Sequence, residues 1–175
     1  QPLTYSNTAK NNLDKAAAVD KEADELLAES QRIKEQAALQ NEVTEKNALY
    51  SKADELTTSA ESKKIEAAQL VGTANTLEYR SNQHAVDQYA NANTGSADEL
   101  AIADLMKDEA KTYFDKAQNS RKAAASFETY YAKQTALEDA AKSEELAIQK
   151  QNGALAIYKK NNPKLVVRPL TAADI

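Results

Sequence analysis

Alanine recurs once in every seven residues along most of this chain, and it does so in two copies. The first stripe is Ala16, Val19, Ala23, Leu26, Ser30, Ile33 and Ala37. The second is Leu49, Ala53, Leu56, Ala60, Lys63, Ala67, Leu70, Ala74 and Leu77. Steps of three and four place each stripe along one face of a helix. Moving forward by 87 residues repeats the pattern. Ala16, Ala23, Ser30 and Ala37 fall on Ala103, Ala110, Ala117 and Ala124. Ala53, Ala60 and Ala67 fall on Ala140, Ala147 and Ala154, and Lys63 falls on Lys150. An alanine-rich helix matches itself at multiples of seven, and 87 is not one. The intervening turn must therefore carry the register from copy to copy. A methyl-sized residue at one seam position lets two antiparallel backbones come close, whereas a larger one would force them apart. The other seam position tolerates Leu, Val, Ile or Met. The pattern predicts an all-α fold of long antiparallel helices, two duplicated helical hairpins forming an elongated bundle or stacked pair.

Composition agrees. Alanine makes up about a fifth of the 175 residues, with three Gly, three Pro, no Trp and two Phe. Such a chain favours helix and cannot fill a wide core. The net charge of -5 disfavours nucleic acid, whose phosphates call for a Lys/Arg excess. No apolar run reaches the length of a membrane span, so no membrane insertion is expected. Without Cys there is neither a disulfide nor a thiolate site. The start at Gln1-Pro2 reads as the trimmed or mature end of a longer protein, and an exported or periplasmic protein after signal removal would look this way.

Boundaries follow from caps and breakers. Ser6 or Asn7 opens the first helix, which stops near Leu39–Asn41, and Thr44 is the candidate cap of the second. The second runs to about residue 91, with Gly72 either a tolerated interruption or a C-cap. Ser96 opens the third. Ser126, followed by Phe127-Glu128, is the corresponding cap candidate in the second copy, so the fourth helix is expected from about Phe127 to Lys160, ended by Asn162-Pro163. These limits divide the chain into a first hairpin unit (1–92), a second (93–161) and a tail (162–175). The Leu165-Val166-Val167 tail is read as a strand or linker to a following domain in preference to a segment folded back on the helices.

Few residues suggest chemistry. His84 is the only histidine, and a di-metal carboxylate bundle needs a Glu-x-x-His on each of two helices. It reads as structural and partly exposed. The acidic pairs Asp24-Glu25, Asp54-Glu55, Asp98-Glu99 and Glu144-Glu145 are placed on solvated faces. Lys63 and Lys150 read as lysines whose stems cover the seam, or as polar interruptions that set register. No catalytic, metal or cofactor site is expected. The candidate binding surface is aromatic: Phe127, Tyr130 and Tyr131 at the tip of the second hairpin, with Tyr113 and Phe114 earlier on the preceding helix. Their counterparts in the first copy are Gln40, Val43, Thr44, Leu26 and Leu27. Aromatic residues are enriched where proteins bind one another. Tyr79 and Tyr89 form a second candidate.

The segments "ALYSKADEL" and "EAKTYFDKA" resemble the alanine-rich helical hairpins of tetratricopeptide-type repeats. More loosely, residues 10–160 are similar to helical segments of exported bacterial envelope proteins. The tetratricopeptide unit is about 34 residues with short helices, so the likeness is one of hairpin texture. It implies a non-enzymatic scaffold or protein-protein interaction domain with a protein partner. A peptide- or glycan-binding domain with a groove between the hairpins is the alternative.

Overall fold

The computed structural model describes residues 3, 5–92, 94–167 and 170. Four helices follow one another: α1 (Asn7–Ala38), α2 (Val43–Ala92), α3 (Ala97–Ser126) and α4 (Tyr130–Asn161). The described residues contain no strand. α1 pairs with α2 and α3 with α4 as antiparallel hairpins, and α2 packs on α4.

Both alanine stripes are buried. Ala23, Ala37, Ala53, Ala60 and Ala74 are fully enclosed in the first hairpin, as are Ala103, Ala110, Ala117, Ala140, Ala147 and Ala154 in the second. Ala18, Ala28 and Ala92, which lie off the stripes, are exposed. Burial therefore follows position on the helix and not residue type. Ser30, the one polar member of the stripe, is satisfied internally. Its hydroxyl donates to the Ala53 carbonyl at 2.8 Å and lies 2.8 Å from the Thr57 hydroxyl.

The duplication extends to an ion pair. Lys63 Nζ lies 2.8 Å from a Glu22 carboxylate oxygen, and Lys150 Nζ lies 2.9 Å from Glu109. The second pair is the first moved on by 87 at both ends. Each lysine crosses its seam to the partner helix, and the carboxylate it bonds holds its ammonium above the usual range. Lys64 adds two bridges to α1, at 2.8 Å to Asp20 and 2.7 Å to Asp24. These rim pairs fix register more than they add stability.

α2 is uninterrupted over 50 residues, about 75 Å at 1.5 Å per residue. Its first part belongs to the first hairpin, and its last part lies against α4. Contacts between Asn75 and Glu144, Tyr79 and Gln151, and Tyr89 and Tyr158 show the two helices running parallel. One rod thus carries both hairpins in a staggered arrangement.

Helix starts differ from expectation at two places. Ser6 and Ser96 are the caps of α1 and α3, accepting from Ala9 N and Glu99 N. α2, however, begins at Val43, so Thr44 lies inside its first turn. α4 begins at Tyr130 rather than Phe127 and is capped by Thr129, which accepts from Ala132 N. Two local features explain the shift. The Ser126 hydroxyl bonds back to the Ala123 carbonyl, and Phe127 is extended, with ψ 142°. Thr129 is the next side chain able to cap. The described part of the tail forms no strand and lies against the helices. Leu165 N bonds to the Asn162 carbonyl, and the Leu165 carbonyl accepts from Tyr89 Oη at 3.3 Å. Val167 packs on the cluster of Val86, Tyr89, Leu155 and Tyr158. The end of the bundle offers this segment an apolar surface and a buried donor. The rest of the expected tail, apart from residue 170, lies outside the described residues.

Candidate functional site

The two hairpins meet where the later part of α2 packs on α4. Here the copies diverge. Thr57, Glu61 and Lys64 of α2 correspond, 87 residues on, to Glu144, Ile148 and Gln151 of α4, and Lys34 of α1 corresponds to Arg121 of α3. All three α4 residues are completely buried. A helix face that is partly wet in the first copy became an interior face in the second.

A polar node spans this contact. Arg121 Nε and Nη2 each donate to a Glu144 carboxylate oxygen at 2.7 Å, a bidentate pair. Arg121 Nη1 donates to the Ala68 carbonyl at 3.2 Å. Asn75 Nδ2 donates to Glu144 Oε1 at 3.0 Å, and Tyr5 Oη donates to Asn75 Oδ1 at 2.7 Å. Beside it, Ser6 N donates to Glu78 Oε2 at 2.9 Å. The node joins the segment before α1 to α2, α3 and α4. Nearby, Gln151 Nε2 donates to the Tyr79 carbonyl at 3.0 Å and to Gln83 Oε1 at 3.2 Å. The solvated placement expected for Glu144 is thus overturned, while Glu145 remains exposed. In sequence the two are alike. Divergence between the copies does not separate them either, since Thr57 and Thr58 stand at the equivalent positions.

Gly72 exists because of this node. The Arg121 guanidinium lies flat over it, and a Cβ there would come within 2.3 Å of Cζ. Gly72 is therefore neither a helix end nor a merely tolerated residue. Gly72→Ala would gain about 1 kcal/mol from helix propensity alone. The expected result is the opposite sign, a loss of about 1–3 kcal/mol, because moving Arg121 unpairs buried polar groups. A higher melting temperature for this variant would contradict the geometry.

The node also predisposes the protein to unfold in alkali. Burial, with help from Glu145, Glu78 and Glu144, pushes the Tyr5 hydroxyl up to about 12. Burial, with Asp115 and Asp87, pushes Tyr79 up to about 12. Both phenols are held neutral in the fold, so the unfolded chain releases these protons first. Their contribution is intact below pH about 10 and is lost as the pH rises through about 12. Urea midpoints measured from pH 9 to 12 should fall over this range, and less steeply for Tyr5→Phe.

The five candidate aromatic residues do not form one surface. Tyr113 and Phe114 lie at least thirteen residues, about 20 Å along α3, from Phe127. They pack against the cluster of Tyr79, Ala110, Ala147 and Ile148. Phe114 stacks on Tyr79 with centroids 3.9 Å apart. Tyr130 is half-buried, and burial pushes its hydroxyl up, against the opposing effect of Lys64. Phe127 and Tyr131 stay at the tip, 39% and 80% exposed. The first tip has a smaller counterpart in Leu39 and Val43, 81% and 70% exposed. Tyr79 and Tyr89 are both core, and Tyr89 lies parallel to Tyr158 at 6.5 Å. His84 is half-buried, as expected.

This division has a measurable consequence. Tyr131→Ala should change stability by no more than about 0.5 kcal/mol, whereas Phe114→Ala should cost at least about 2 kcal/mol. Thermal denaturation of the two variants separates contact residue from core residue.

Among the described residues, no group of three His, Cys, Asp or Glu side chains is placed to hold a metal ion, and no helix is long and apolar enough to cross a membrane. Two concavities lie between the hairpins on α2 and α3. One, of about 310 Å³, has Arg121 in its wall. The other, of about 280 Å³, lies beside Tyr79 and Phe114.

No protein-family model, curated protein or solved structure matches this chain.

Proposed function

We propose that the chain is a non-enzymatic helical scaffold within a larger exported protein, and that it binds a partner protein through the tip of its second hairpin. The observation that carries the reading is the fate of the aromatic residues. The core takes up Tyr79, Tyr89 and Tyr158, and half-buried Phe114 stacks on Tyr79, yet Tyr131 is left 80% exposed at the same tip as Phe127. The first copy has Thr44 and Gln40 at these places. Exposed aromatic side chains on a rigid support suit protein recognition, since little conformational freedom is lost when they dock. The node favours the scaffold role as well. Glu144 accepts three hydrogen bonds from Arg121 and Asn75, so it serves as a fastener between hairpins and not as a free acid or base. The textural likeness to tetratricopeptide-type hairpins and envelope-protein helices supports the same assignment.

A photo-crosslinking residue at position 131, in the protein expressed in its own cells, tests this. One saturable protein adduct is expected, absent when the same residue is placed at exposed Ala28 and lost on Phe127→Ala. Identical adducts from positions 131 and 28 would contradict the reading.

A second reading, peptide or glycan binding in a groove between hairpins, is favoured by the concavity beside Tyr79. Phe114, Gln83, Lys107 and Asp108 surround it, an aromatic ring among hydrogen-bonding groups.

A further inference from the structure

The concavity of about 310 Å³ at the α2–α3–α4 junction differs in charge from the rest of the molecule. Acidic residues outnumber basic ones 27 to 22 in the chain, yet among the described residues no carboxylate lines this cavity. Two cations do: Arg121 from α3 and Lys133 from α4. Gln69, Thr73 and Thr76 of α2 supply an amide and two hydroxyls, and Ile65 supplies an apolar wall.

The two cations are held differently. Arg121 is fixed by its bonds to Glu144 and the Ala68 carbonyl. These use three of its five N–H groups, so one N–H on each terminal nitrogen remains to donate. Among the described residues, Lys133 pairs with no carboxylate (its charge is uncompensated), whereas Lys150 on the same helix is bridged to Glu109. The volume is at the lower limit for small-ligand sites. A fixed guanidinium, an unpaired ammonium and a short apolar wall together select a carboxylate on a short aliphatic stem.

We propose that this cavity binds a short aliphatic carboxylate. The group has two possible sources, a free acid and a glutamate side chain of a peptide. Lys133 supplies the charge that pulls the anion in, and Arg121 orients it. The site is particular to the second hairpin. The counterparts of Lys133 and Arg121 in the first are Lys46 and Lys34, and the guanidinium fork is missing there.

The test is a titration of the isotopically labelled full chain, followed by amide chemical shifts, at ionic strength held constant with sodium chloride. One arm uses sodium glutarate, and the other a blocked peptide with a single glutamate. Saturable shifts at Thr73, Thr76, Ala124 and Ala125 are expected, with a dissociation constant in the millimolar range. Saturation by glutarate supports the free acid as source, and saturation by the peptide alone supports the side chain. Lys133→Gln should weaken binding about tenfold, and Lys46→Gln should leave it unchanged. The proposal is overturned if neither probe saturates, if chloride reproduces the shifts, or if the two lysine variants behave alike.

Discussion

Glu144→Ala is expected to destabilise the protein by about 3–5 kcal/mol, the largest effect of any single substitution considered. Glu144 has no solvent exposure, and the Arg121 side chain paired with it is 16% exposed. Truncating the carboxylate leaves a largely buried guanidinium without its charge partner and removes the acceptor for Asn75 Nδ2. At about 2–4 °C per kcal/mol for a chain of this size, the melting temperature should fall by roughly 10 °C. Removing both partners should act differently. Arg121→Met combined with Glu144→Leu replaces the pair by apolar groups of similar volume, a change that is often neutral or stabilising. The cost of burying two charges disappears along with their attraction. The expected order is therefore Glu144→Ala lowest, with the double variant recovering most of that loss but staying below the parent by the about 1–3 kcal/mol that an unpaired Asn75 Nδ2 costs. A double variant as unstable as Glu144→Ala would show that the node contributes more than its pairing.

The second large effect lies in the seams. Ala60→Leu and Ala147→Leu occupy equivalent positions, and both sites are fully buried. Adding an isobutyl group between close backbones forces side chains off their rotamers or the helices apart, at about 1–3 kcal/mol each. The two losses should be similar, because the hairpins share one seam geometry, and they should add because the sites lie in separate seams. Ala18→Leu and Ala28→Leu are the controls. Both positions are exposed, and changes within about 0.5 kcal/mol are expected. Equal effects at all four positions would mean that alanine is present for helix propensity alone. Chemical denaturation of the four variants decides between the two.

The seams were legible in the sequence because each is made within one hairpin from a periodic pattern. Ala53 and Ala60 declare themselves by spacing, and repetition at Ala140 and Ala147 confirms the period. The lysines at 63 and 150 are legible as a matched pair and Glu22 and Glu109 as another, but nothing local in the sequence joins the two. The contact between hairpins was not legible. Glu144 and Asn75 are 69 residues apart, and no local pattern reports which acidic residue of α4 turns toward α2. The aromatic residues misled for the same reason. Phe114 and Tyr131 have similar local surroundings, but only Phe114 has Tyr79 across from it. Divergence between copies is a partial clue, since Thr58 against exposed Glu145 diverges just as Thr57 against buried Glu144 does. Thr57 against Glu144, Lys64 against Gln151 and Lys34 against Arg121 mark the face on which the second hairpin had to fit the first.

A distance measured by pulsed electron resonance between spin labels at Lys52 and Gln88, both exposed on α2, tests most directly whether one rod carries both hairpins. Thirty-six residues of continuous helix span about 54 Å, and a single narrow distribution near that value is expected. A broad distribution, or one centred below about 45 Å, would show that α2 breaks near Gly72, and the fixed stagger of the two hairpins would fall with it.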